Sequence, residues 1–159
     1  MIEHQYHIRI EWSGNKGCGT SLYKAYGRDF HLSAKNKGQI ILGSSDPAFL
    51  GDSNRYNPEE MLVAAISSCH MLWYLHLCAS HKIVVTAYID EAEGFMQENK
   101  DGSGSFSKVI LKPKITLSKG SDQIEAEKLH EKANQMCFIA NSCNFSILHQ
   151  ASYLEKIDP

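Results

Sequence analysis

Residues 57–81, NPEEMLVAAISSCHMLWYLHLCASH, constrain the fold of this chain more than any other stretch. They form its longest apolar run and carry two of its five cysteines. The run opens with helix-start signals. Asn57 suits the N-cap, and Pro58 suits the first helical position, where its missing N–H is unpaired in any case. Glu60, three residues past the cap, can reach back to the Asn57 N–H as in a capping box. Glu59 is left without a local role. From Met61 onward, Leu62, Ala65, Ile66, Cys69, Trp73, His76 and Leu77 recur at helical spacing. Met61, Val63, Met71 and Leu72 widen the apolar surface, and a helix apolar on most sides belongs in the middle of a fold. Ser67, Ser68, His70 and His76 interrupt the run too often for a good membrane span.

The rest of the chain reads as cover for that helix. Residues 5–12 alternate, with Tyr6, Ile8, Ile10 and Trp12 on one side, which predicts a half-buried strand. Residues 13–21, SGNKGCGTS, predict a loop. Strands follow over Leu22–Leu32, with Gly27 as the point of a break, and over Gln39–Leu42, with an irregular connection over 43–56. After the helix, Ile83–Met96 and Ser105–Ser118 predict a hairpin about the NKDGSG turn at 99–104. Pro113 within the second of these favours an edge or a bulge. Asp122 and Glu125 open a second helix whose stripe is Ala126, Leu129, Ala133 and Met136/Cys137. A turn and one last strand occupy Ser142–Lys156. This order predicts an α+β fold, one domain over residues 1–159, with two helices packed on antiparallel sheet.

Composition excludes several classes. A formal net charge of -2 gives no electrostatic case for nucleic acid or an anionic membrane. The N-terminus, MIEHQYHIRIEW, has neither signal-peptide nor transit-peptide character. An odd, scattered set of five cysteines is unlike a secreted disulfide framework and fits a reducing cytoplasm. Eight histidines and five cysteines invite a metal, yet Cys69, His70, His76 and Cys78 include no i,i+3 or i,i+4 pair and there is no CxxC. No metal or cofactor is therefore expected. Cys18 reads as a surface thiol and Cys78 as a buried one. Cys69, in mid-helix, reads on spacing alone as a small buried hydrophobe.

Two segments carry a family resemblance. NPEEMLVAAISSCHMLWYLHL resembles the first cysteine motif of the OsmC/Ohr family, the osmotically inducible and organic-hydroperoxide-resistance proteins. There Asn-Pro-Glu opens a long central helix and a reactive cysteine follows ten positions after the glutamate, as Cys69 follows Glu59 here. HEKANQMCFIANSCNFSI resembles the second cysteine motif and places the partner thiol at Cys137. Phe138 stands where hydroperoxide-reducing members often have proline, and Cys143 offers a rival partner thiol. The resemblance implies antiparallel sheets around a long central helix, an intertwined homodimer with sites at the subunit interface, and a cysteine-based peroxidase acting in oxidative stress defence.

The roles implied are specific. Cys69 attacks an organic hydroperoxide as a thiolate, because the thiolate is the nucleophile. Lying three turns into its helix, it gains little from the helix dipole and needs a fixed cation. The chain has only three arginines, Arg9, Arg28 and Arg55. The family's catalytic arginine lies in the N-terminal strands, which points to Arg28. Arg55, beside Asn57-Pro58-Glu59, is the rival. Glu59 would orient the guanidinium. Glu59 and Cys69 stand roughly 15 Å apart along one straight helix, so either a second subunit completes the site or the first turn bends. Cys137 would form a disulfide with Cys69, and an external dithiol would reduce it. Cys137 shares a stripe with Leu129 and Ala133 and should face the core, whereas Cys143 lies beyond the Asn141-Ser142 turn. The competing reading is a dimeric small-ligand binding protein with inert cysteines.

Overall fold

The computed structural model describes residues 2–155, which gather into two compact units, one up to Met61 and one from Leu62 onward. The first unit holds an antiparallel sheet of β1 (Arg9–Trp12), β2 (Phe30–Ser33) and β3 (Ile41–Gly43), with β2 in the middle. Gly43 is required there, because a Cβ would stand 2.2 Å from the ring of Phe30 on the neighbouring strand. Strand β1 is shorter than its alternation predicts. It is also exposed and not half-buried, with Ile10 at 55% accessibility.

The strand expected over Leu22–Leu32 forms only from Phe30. Upstream, the chain is curled. Asn15 Oδ1 accepts from the N–H groups of Gly17 and Gly19, both at positive φ. Arg28 donates to the carbonyls of Tyr26 (2.6 Å) and Tyr23 (2.7 Å) and stands over both rings. These contacts use backbone groups that a strand ladder needs. The connection over 43–56 is irregular as expected, apart from one 3-10 turn at Pro47–Phe49 capped by Asp46.

Helix α1 (Pro58–Ser80, 23 residues) starts where its signals place it. The capping box forms: Glu60 N–H donates to Asn57 Oδ1 at 2.8 Å, and Asn57 N–H to Glu60 Oε2 at 3.0 Å. Its buried line differs from the expected stripe. Ile66, His70, Tyr74 and Cys78, spaced four apart, are buried, while His76 is exposed and Cys69 and Trp73 are half-buried. The apolar pattern counts histidine as polar, and His70 is buried because a polar partner meets it in the core. By length and composition alone α1 could cross a bilayer, but its buried line packs as a core helix of the second unit. Leu72 points away from that core, 64% exposed.

Both long hairpin strands break in two. β4 (Val85–Asp90) and β7 (Pro113–Leu117) join one sheet, β5 (Glu93–Glu98) and β6 (Gly104–Leu111) another. Asp90 accounts for both breaks. Its carboxylate accepts from the Lys112 N–H at 2.7 Å and from the Ser67 hydroxyl on α1, tying the two strand junctions to the helix. Pro113 is neither at an edge nor in a bulge. It is the first residue of β7, the middle strand of its sheet, where the missing N–H is tolerated. The single last strand is likewise two, β8 (Ser146–His149) beside β6 and β9 (Ser152–Glu155) beside β7, both parallel to their neighbours. Lys156, its expected end, lies outside the described residues. The result is an α+β fold with mixed sheets.

Helix α2 (Gln123–Met136) is capped by Asp122, whose Oδ1 accepts from the Glu125 N–H at 3.0 Å. One core cluster joins Tyr74 and Cys78 of α1 to Ile115 and Leu117 of β7 and to Ala126, Leu129 and Ala133 of α2. Another joins Ile66 to Val109 and Leu111 of β6. Burying Ile66 fully contributes on the order of 2 to 3 kcal/mol. α1 thus crosses both clusters and is held against α2 along its second half.

Candidate active site

Cys69 and Cys137 meet where α1 passes the end of α2. Cys137 is the C-cap residue of α2, its backbone already extended, and Ala140 N–H donates to its sulfur at 3.3 Å. It is fully buried. Burial pushes its pKa up to about 11, and the Cys69 thiol, close enough to interact, adds to the rise. Cys69 is half-exposed. The pair therefore consists of one half-buried thiol and one that keeps its proton in the core.

The other cysteines are placed differently. Cys143 follows a 3-10 turn (Ala140–Ser142), donates to the Ile139 carbonyl at 3.2 Å and packs against the Ile66 cluster. Cys78 is buried at the far end of the α1 line, and burial raises its pKa. Cys18 is exposed in the N-terminal loop. Trp73, one turn beyond Cys69, meets Phe138 edge-to-face at 6.0 Å.

Arg28, Arg55 and Glu59 belong to the first unit. Arg28 is held by backbone carbonyls and tyrosine rings, and among the described residues no carboxylate pairs with it. Arg55 faces Asp52 at 3.4 Å and Asp29 at 3.7 Å. Glu59 is half-buried in the first turn of α1 and forms no ion pair among the described residues. α1 runs unbroken from Glu59 to Cys69.

Sequence reasoning missed a histidine cluster in the second unit. His70 Nε2 and His130 Nδ1 are 2.9 Å apart with rings 3° from coplanar. His130 stacks on His149 of β8 at 4.9 Å and on Tyr74 at 4.0 Å. His149 Nε2 lies 3.4 Å from Glu127. Neither His70 Nδ1 nor His130 Nε2 has a hydrogen-bond partner among the described residues. The signal was available, since His70 and His130 each stand four residues after a buried apolar residue, Ile66 and Ala126. Among the described residues no three His, Cys, Asp or Glu side chains are placed to hold one metal ion.

Burial lowers the pKa of His70 to about 4 and that of His130 to about 3, and each histidine's charge opposes its neighbours'. Unfolding restores values near 6.5, so below that pH the unfolded chain binds protons that the folded chain refuses. Stability is full above about pH 6.5 and falls as the pH drops toward 4. With two such groups the slope approaches about 2 to 3 kcal/mol per pH unit. Urea midpoints at pH 7.5, 6 and 5 should fall steadily; a flat series over that window would contradict the neutral buried pair.

A family model described as OsmC-like protein matches residues 51–150, which include both cysteine segments. The chain belongs to the OsmC-like protein family. An OsmC-like protein of unknown function from Vibrio cholerae has the same fold, with 30% identity and a TM-score of 0.84 over 94% of this chain and all of that one. An organic hydroperoxide resistance protein from Elizabethkingia anophelis matches in fold, with 20% identity and a TM-score of 0.68 over 98% of this chain and all of that one. An uncharacterised Bacillus subtilis protein, YmaD, is 23% identical over 89% of this chain and 88% of its own length. The OsmC-like fold resembled at the outset is thus the fold of this chain.

Proposed function

We propose that this OsmC-like protein is a cysteine-based peroxidase that reduces organic hydroperoxides in the cytoplasm, as a homodimer and without a cofactor. The observation that carries this reading is the unequal thiol pair, a half-exposed Cys69 against a buried, protonated Cys137. Of these two, only Cys69 has surface open to a peroxide from solvent. Its thiolate attacks the terminal peroxide oxygen, the O–O bond breaks, and the alkoxide leaves as the alcohol after taking a proton. Cys69 becomes a sulfenic acid. Cys137 then attacks that sulfur, water leaves, and a disulfide forms. An external dithiol reduces it and is itself oxidised to a disulfide.

Arg28 is the better candidate for the cation. Among the described residues no carboxylate cancels its charge, whereas Arg55 is shared between Asp29 and Asp52. Glu59, free of any ion pair among the described residues, has the carboxylate to orient a guanidinium. An unbroken α1 keeps Glu59 and Cys69 roughly 15 Å apart along the axis. That supports a site completed by a second copy over one built by a bent first turn. The apolar residues left uncovered on α1, Leu72 above all, also suit a homodimer.

Steady-state turnover of cumene hydroperoxide with a dithiol reductant tests the reading. The parent protein should turn over. Arg28→Ala should lose about 100-fold in kcat/KM, in the range for removing one electrostatic stabiliser, and Arg55→Ala much less. No turnover by the parent, with Cys69 inert to alkylation near neutral pH, would favour a small-ligand binding protein instead.

A further inference from the structure

The two thiols are brought together by two helices from different parts of the sequence, and something must set how those helices lie. Cys69 and His70 are consecutive on α1. His130 and Cys137 are seven residues, two turns, apart on α2, and both are buried. The 2.9 Å contact between His70 Nε2 and His130 Nδ1 therefore joins the same two helices that the cysteines join. It is a directional polar contact in an otherwise apolar interface of Tyr74, Leu129 and Ala133. Apolar packing tolerates sliding by small steps. One buried hydrogen bond does not, because a slipped register leaves two imidazoles unpaired in the core.

We propose that His70 and His130 are positioning residues: their contact registers α1 on α2 and so holds Cys69 within disulfide reach of Cys137. The proposal rests on the pairing of those two thiols in the reading above, and not on peroxide being the oxidant. The contact needs one ring nitrogen donating and the other accepting, which two neutral rings supply and so does one imidazolium beside one neutral ring. Only protonation of both rings would remove the acceptor and put two cations at hydrogen-bond distance. The surroundings offer little to hold such a charge. The groups facing the pair are His149 of β8, Glu127 of α2 (directed at His149), Tyr74 and Cys78 of α1 and Tyr153 of β9. Burial holds both imidazoles neutral down to about pH 4. The register should hold through the neutral range.

The test is the effective concentration of the Cys69–Cys137 thiol pair, measured as the equilibrium of its disulfide with glutathione. Being an equilibrium between thiols and disulfides, it needs no peroxide. Replacing both partners of a buried polar contact with apolar residues is often neutral for stability. His70→Leu/His130→Leu should therefore keep its thermal midpoint and lose at least tenfold in effective concentration. An unchanged effective concentration in that folded variant overturns the proposal. His70→Gln/His130→Asn places non-titrating amides near the bonded nitrogens, and it serves also if the leucine variant does not fold. It should match the parent at pH 7, and a loss of tenfold or more in it there overturns the proposal. Effective concentrations as expected in a protein that does not reduce hydroperoxides would sink the peroxidase reading and leave the positioning role standing.

Discussion

Cys69→Ser should abolish hydroperoxide reduction, lowering kcat by at least about 1,000-fold, the scale on which loss of an attacking nucleophile is felt. A serine oxygen at this position is a poor nucleophile unless ionised. The substitution is close to isosteric and Cys69 is only half-buried, so the fold should be retained. Circular dichroism and the thermal midpoint should match the parent. Steady-state turnover of cumene hydroperoxide is the measurement. Activity within tenfold of the parent would remove Cys69 from the mechanism. Turnover that instead disappears with Cys18 or Cys78 would move it to another thiol.

Cys137→Ser should separate the chemistry into two steps. The first turnover should proceed, since peroxide reaches Cys69 and not the buried partner. The second should not, because the sulfenic acid finds no partner thiol and goes on to sulfinic acid. Steady-state turnover should fall by about 100-fold or more, the scale of losing a participating group, while one equivalent of alcohol still appears in a burst and a second follows as the sulfenic acid is over-oxidised. Intact mass should show a gain of two oxygens on Cys69 at excess peroxide. Cys143→Ser should turn over like the parent. Its thiol is bonded to the Ile139 carbonyl beyond a 3-10 turn. The reverse pattern, with Cys143→Ser inactive and Cys137→Ser active, would transfer the resolving role. These outcomes are independent of whether Arg28 or Arg55 supplies the cation.

The features legible in the sequence are those set by local chemistry. The capping box at Asn57 and Glu60 and the Asp122 cap place both helix starts within a residue. The turn at 99–104 forms as its residues dictate, with the Asn99 N–H donating to the Ser103 carbonyl at 2.7 Å. The approach of Cys137 to Cys69 followed from its place on the α2 stripe and from the family resemblance. Features set by distant partners were not legible. Asp90 breaks two strands because Ser67 and Lys112, 23 residues before it and 22 after it, both bond to its carboxylate. Arg28 curls its own loop only because Tyr23 and Tyr26 can receive it. His70 looks like an interruption in an apolar run until His130, 60 residues on, meets it. Each of these is a polar residue whose placement depends on a partner that periodicity does not identify.

The most direct test of the two-thiol account is peptide mapping of the parent protein under non-reducing conditions, after one equivalent of an organic hydroperoxide and no reductant. A disulfide needs Cα atoms within about 7 Å and suitably directed Cβ atoms, and the Cys69–Cys137 pair is the one whose thiols already interact. The account predicts a single linked species joining the Cys69 and Cys137 peptides, with Cys143, Cys78 and Cys18 still free to alkylate. A linked peptide joining Cys69 to Cys143, or Cys69 recovered as sulfinic acid with no disulfide at all, would contradict it.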